Sequence, residues 1–218
     1  MVPRIGQTEA ISMVLVSGIV ISLVGAAYFW GMPMIDKRSA ATEFTSAANM
    51  MDSINEKIIS IASSGGGSVE LDLSKPLTLV PYGAMGVENN TIKTSFGINQ
   101  PIIYPLAEGG AVYVGASSFS ETSSSGTFGQ SAPGVISATQ EKGERAYVMN
   151  MALRYRELKT STAPAKSYLI KLCGEADPGC TSTYTGSSSA RFTFRGTETV
   201  PMQGSPDLVV TKIGVSLQ

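Results

Sequence analysis

No histidine occurs anywhere in the 218-residue chain. That removes the commonest general base and the commonest metal ligand, and most hydrolase and metal-site chemistries go with it. Charge is scarce as well: Asp, Glu, Lys and Arg make up 15% of the residues, against about a quarter in an ordinary globular chain. The 16 basic and 17 acidic residues nearly cancel, to a net charge of -1. No excess of either sign points to nucleic acid, and no nucleic-acid partner is expected. Nor is there a phosphate-binding glycine loop, a nucleophile paired with a base, or a metal cluster, so neither an enzyme nor a cofactor is expected. Arg191, Arg195 and Glu198 are read as a solvated strand face, and Glu141, Lys142, Glu144 and Arg145 as a charged hairpin.

Cysteine is nearly absent too. Cys173 and Cys180 alone flank the segment GEADPG, too far apart for a redox C-x-x-C and too few for a structural zinc site. The natural reading is a disulfide across a turn whose chemistry comes from Asp177, Pro178 and Gly179. Closing so small a ring restricts the unfolded chain by about 2.5 kcal/mol on the chain-entropy account. It implies an oxidising compartment; two reduced, buried thiols are the alternative.

Against these scarcities stands one long apolar run. From Ala10 to Ile35 there is no charged residue, and as a helix this run spans about 39 Å, more than the ~30 Å hydrocarbon core of a bilayer. Gly18, Ser22 and Ala26 recur at four-residue steps with Gly25 beside them, a small-residue face that lets helix backbones approach closely. Tyr28, Phe29 and Trp30 follow where an interfacial aromatic belt would sit. Pro33 removes a helix hydrogen bond and predicts a kink or local opening near Gly31.

Helical periodicity then continues in amphipathic form. Phe44, Ala47, Ala48, Met51, Ile54, Ile58 and Ile61 recur at three- and four-residue steps, while Asp52, Asn55, Glu56 and Lys57 fall on the polar face. SSGGG at 63–67 ends the helix. Beyond it the period changes to two, with strands expected at 69–73, 77–80, 91–96, 102–104, 112–114, 147–155, 168–172, 191–195 and 208–217. The Ser/Thr-rich segments 115–134 and 181–190 read as exposed loops, where O-linked glycans are one possibility. Asn89 opens the single N-x-S/T sequon, NNT at 89–91, as a glycosylation candidate. The fold expected is α+β: a long N-terminal helix over 7–64, kinked near Pro33, and an all-β antiparallel sandwich head over 65–218.

A short basic start, a Gly-Gln junction, a long uncharged helix and an all-β head together resemble the type IV pilin superfamily, most closely archaeal pilins with class III signal peptides. The resemblance is specific over Arg4 to about Ile35, general over the rest of the helix, and architectural over the head. It implies a leader, residues 1–6, cut by a prepilin peptidase between Gly6 and Gln7, with Glu9 as the acidic residue near the mature start. It further implies that Gly18, Ser22, Gly25 and Ala26 pack against copies of the same helix. The expected partners are the chain itself, as a helical homopolymer, together with the prepilin peptidase, the pilus assembly machinery and, before assembly, the membrane. The expected location is an extracellular filament serving adhesion or surface attachment. Two alternatives remain open at this stage: a single-pass membrane protein with an external β domain, and a soluble β domain released by signal cleavage near Val24 to Ala26. An archaellum subunit is the less favoured variant of the filament.

Overall fold

The computed structural model describes residues 5–84, 89–103, 111–114, 125–144, 146–162, 164–177, 179–202 and 205–218, with backbone only at 5–11 and 111–114. One helix, α1 (Ile5–Ser64), precedes twelve strands: β1 (Ser68–Asp72), β2 (Leu77–Val80), β3 (Thr91–Ile98), β4 (Ala111–Val114), β5 (Ser125–Thr127), β6 (Gly134–Lys142), β7 (Tyr147–Tyr155), β8 (Glu157–Lys159), β9 (Lys166–Gly174), β10 (Tyr184–Gly186), β11 (Ser189–Val200) and β12 (Asp207–Leu217). The architecture is therefore α+β. At 60 residues, α1 is about 90 Å long. The helix continues through Pro33, although the proline ring supplies no N–H for the carbonyl of Phe29. It stops where Gly65 and Gly67 take φ of +67° and +100°, left-handed conformations that suit glycine at a helix C-terminus.

The strands form two six-stranded sheets, ordered β1-β11-β12-β9-β8-β5 and β10-β2-β3-β7-β6-β4. All pairings in the second sheet are antiparallel, as its alternating patterns suggest. The first sheet is mixed: β12 runs parallel to β9, and β5 parallel to β8. An antiparallel head was expected, and the route of the chain explains the difference. After β9 the chain crosses to the second sheet as β10 and returns as the β11–β12 hairpin, a connection long enough to set β12 beside β9 in the same direction.

Alternation along β7 sends Met149, Met151, Leu153 and Tyr155 inward. They meet Leu77, Leu79 and Ile92 of the same sheet, and Phe192, Ile213 and Val215 of the other. The second half of α1 completes this core. Its Ala40, Ala47, Ala48, Met51, Ile54, Ile58 and Ile61 are all buried, and the helix touches strands of both sheets. Each of its buried Met and Ile side chains contributes about 1.5–3 kcal/mol, so helix and head form one hydrophobic unit. Asn55, expected on the solvent face, instead accepts a 3.0 Å hydrogen bond from the Tyr155 hydroxyl. It sits so close to Gly134 that a Cβ there would fall 2.2 Å from the Asn55 side-chain oxygen. This polar contact fixes the register of the helix on the second sheet, and burial pushes the Tyr155 hydroxyl well above its ordinary pKa.

Two expected elements differ in detail. Ile102 and Ile103 lie outside any strand because both backbone N–H groups donate to the Gln140 side-chain oxygen, at 2.9 and 3.1 Å; Tyr104 lies outside the described residues. The Ser/Thr-rich segments also contribute strands, β5 from 115–134 and β10 from 181–190. Residues 115–124 lie outside the described set.

Candidate functional site: an uncovered apolar helix

Along α1 the surface passes from uncovered to covered between Gly31 and Ala47. Every described residue from Ser12 to Trp30 is exposed, and the first fully buried one is Ala40. Phe29 and Trp30 are 83% and 86% accessible. Soluble monomers rarely leave a contiguous apolar surface beyond a few hundred Å², and this one covers the whole circumference of the helix. The segment is long and apolar enough to cross a membrane by length and composition, and it lies near the N-terminus, where a signal sequence has the same character.

Two of its serines are satisfied internally. Ser17 donates to the Met13 carbonyl at 2.7 Å, and Ser22 to the Gly18 carbonyl at 2.8 Å. Neither hydroxyl therefore demands water, which suits burial of this face in lipid or against another apolar helix. Gly18 and Ser22 form the floor of a shallow groove flanked by Val14, Leu15, Ile19 and Leu23. A Cβ added at Gly18 or Gly25 would meet nothing within 4 Å. Glycine inside a helix costs about 1 kcal/mol relative to alanine, and no contact within the subunit accounts for glycine at either position. Ala26 and Ser22 lie on the same exposed surface, which runs past Gly31 and Pro33 to Met34 and Ile35.

The backbone at Gly6, Gln7 and Glu9 belongs to the first turns of α1; their side chains, including the carboxylate of Glu9, lie outside the described residues. The remaining candidate residues sit in the head, far along the chain from the apolar surface. Cys173 and Cys180 are joined by a disulfide, and both are buried. Within the ring, Asp177 is held by the backbone N–H groups of Ser182 and Thr181, each at 2.7 Å, and of Gly179 at 2.9 Å. Led by the Ser182 and Thr181 amides, these donors lower its pKa to about 2.

Asn89 is half-buried, and its side-chain amide donates to the Tyr82 carbonyl at 3.0 Å. The neighbouring Asn90 was not singled out in the sequence. It is 2% exposed with φ +61°; it donates to the carbonyls of Tyr155 and Ile170 and accepts from the Leu172 N–H, so it joins β7 to β9. The available signal was the tolerance of asparagine for left-handed backbone.

Several charged residues on the head form ion pairs. Arg191 bonds Glu70 at 2.8 Å, Lys212 bonds Glu198 at 2.7 Å, and Lys75 pairs with Glu43 of the helix. Among the described residues, no group of three or more Cys, Asp or Glu side chains lies together in a metal-binding arrangement. Comparison with protein-family models, with curated proteins and with solved structures finds no match.

Proposed function

We propose that this chain is the structural subunit of an extracellular, type IV pilus-like helical filament, polymerising through the first half of α1. The observation that carries the reading is the continuity of one helix whose second half is buried in the head while its first half is apolar on all sides and uncovered. A water-exposed surface of that kind drives association. Lipid covers it before assembly, with the backbone satisfied internally. After extraction, copies of the same helix are the matching apolar cover, and a heterologous contact that does not close gives an open fibre.

The groove at Gly18 and Ser22, and the glycine at 25, fit close helix approach in such a core. Peptidase cleavage between Gly6 and Gln7, delivery by pilus assembly machinery, and adhesion as the use of the fibre belong to this proposal through the resemblance of residues 4–35. A second reading, a membrane-anchored external β domain, draws on Tyr28, Phe29 and Trp30 at the end of the apolar segment, where an interfacial belt would lie. In the filament reading that anchored form is the stage before assembly.

The test is the intact N-terminal mass of material sheared from producing cells, with electron microscopy of the same fraction. Chains beginning at Gln7 within filaments are expected. A start near Ala27 in a soluble, filament-free fraction would refute the proposal, and uncleaved single chains retained in membranes would favour the anchored domain.

A further inference from the structure

The single N-x-S/T sequon and the disulfide ring belong to one corner of the head. The Tyr82 N–H donates to the Leu172 carbonyl at 3.4 Å, one residue before Cys173, and the Gly83 N–H donates to the Cys180 carbonyl at 2.9 Å. Asn89 then hangs from the Tyr82 carbonyl, while Asn90 receives the Leu172 N–H at 2.9 Å. Thr91, the residue that makes the tripeptide a sequon, is 1% exposed, and its hydroxyl donates to the Asn89 carbonyl at 3.1 Å. The backbone turns through the left-handed conformation at Asn90, in the middle of the tripeptide.

An enzyme that reads N-x-S/T must reach both the asparagine amide and the hydroxyl two residues on. Here the amide is on the flank of the corner, whereas the hydroxyl is sealed beneath it. Extracting the tripeptide would break the three side-chain hydrogen bonds of Asn90 and leave buried donors and acceptors without partners.

We propose that Asn89 is an N-glycan acceptor site open only before the Cys173–Cys180 corner closes, so that the folded, oxidised head is refractory to modification. The reaction joins the Asn89 Nδ2 to the anomeric carbon of an oligosaccharide. The bond from that carbon to the phosphate oxygen of a polyprenyl-phosphate donor breaks, the lipid phosphate leaves, and Nδ2 gives up one proton. The product amide keeps one N–H, the donor that the Tyr82 carbonyl requires. A glycan added early is therefore compatible with the fold formed afterwards. The order of events is set by the fold: transfer first, ring closure second. This inference requires no filament and stands apart from the reading of α1.

The experiment uses the full chain in detergent, an oligosaccharyltransferase of N-x-S/T specificity and its polyprenyl-phosphate-linked oligosaccharide, with occupancy of Asn89 read by peptide mass spectrometry. Three forms are compared: the native oxidised chain, the chain reduced and alkylated, and C173S/C180S, with N89Q as the control for the site. Modification of the reduced, alkylated chain is expected to be at least about tenfold faster than that of the native chain, because the closed corner must open before transfer. The double variant should fall on the fast side. Equal rates for native and reduced chains would overturn the proposal by showing that ring closure does not gate the sequon. No modification of the reduced chain would overturn it equally, by showing that the sequon is not an acceptor.

Discussion

The two halves of α1 belong to one continuous helix, yet they solve opposite problems. From Ser12 to Trp30 the side chains are apolar on every side and wholly exposed; from Ala40 to Ile61 an apolar stripe is buried while Glu56 and Lys57 on the other side meet solvent. The second half is stabilised by its own head. The first is stable as a helix only where something outside the subunit replaces water. Among its described residues the head leaves no comparable stretch of apolar surface uncovered. What distinguishes the halves is thus less their hydrophobicity than whether the cover is encoded in the same chain.

The largest effect should come from removing the uncovered half. Deleting Ile11 to Tyr28 is expected to give a soluble, monomeric head and no filaments, as judged by light scattering and electron microscopy. Filaments assembled from the truncated chain would break the comparison, because the uncovered half would then have no separate role.

Single substitutions sharpen it. Ile58 is fully buried and Ile21 is 72% exposed. Ile58→Ala should destabilise the detergent-solubilised subunit by about 2–5 kcal/mol, whereas Ile21→Ala should change it by less than about 0.5 kcal/mol. Urea unfolding of the head, followed by tryptophan-independent circular dichroism in the β region, measures both. Comparable losses would mean that the apolar half contributes to the head's own stability.

The smallest effect concerns pH. No carboxylate or amine side chain occurs between Ala10 and Ile35, so acid has nothing to titrate there. In the head, Asp177 has a folded pKa near 2, depressed from 3.8. A depressed carboxylate contributes stability that is present above its unfolded pKa and disappears as pH falls through the folded value. Between pH 5 and about pH 2.5, the urea midpoint of the parent chain should therefore fall further than that of Asp177→Asn. Equal falls would remove Asp177 as a source of acid sensitivity.

Much of this division could be read from the sequence, because hydrophobic pattern reports local environment directly. The charge-free run, the stripe from Phe44 to Ile61, the breaker at 63–67 and strand 147–155 all follow from periodicity. So does the disulfide, from two cysteines around a turn. What escaped depends on partners rather than patterns. Nothing in Lys166–Gly174 announces that β9 will lie parallel to β12, since a strand's own residues do not name its neighbour. β5 and β10 were hidden because Ser, Thr and Gly have loop-like composition, although tertiary pairing still places them in sheets. Asn55 reads as solvent-facing because it lies one position beyond the apolar stripe, and its buried partner Tyr155 is a hundred residues away. In the apolar half, the small residues were legible while their consequence was not, because the surface they would meet belongs to no part of the described chain.

One consequence of the unbroken helix concerns azimuth. Each helical residue turns about 100° and rises 1.5 Å, so the number of residues between Ala26 and Ala40 fixes the compass direction in which the head projects relative to the small-residue face. The Asn55–Tyr155 contact locks the head end of this dial, and no loop between the halves lets it slip. Wherever the apolar end is seated, the facing of both sheets is thereby decided.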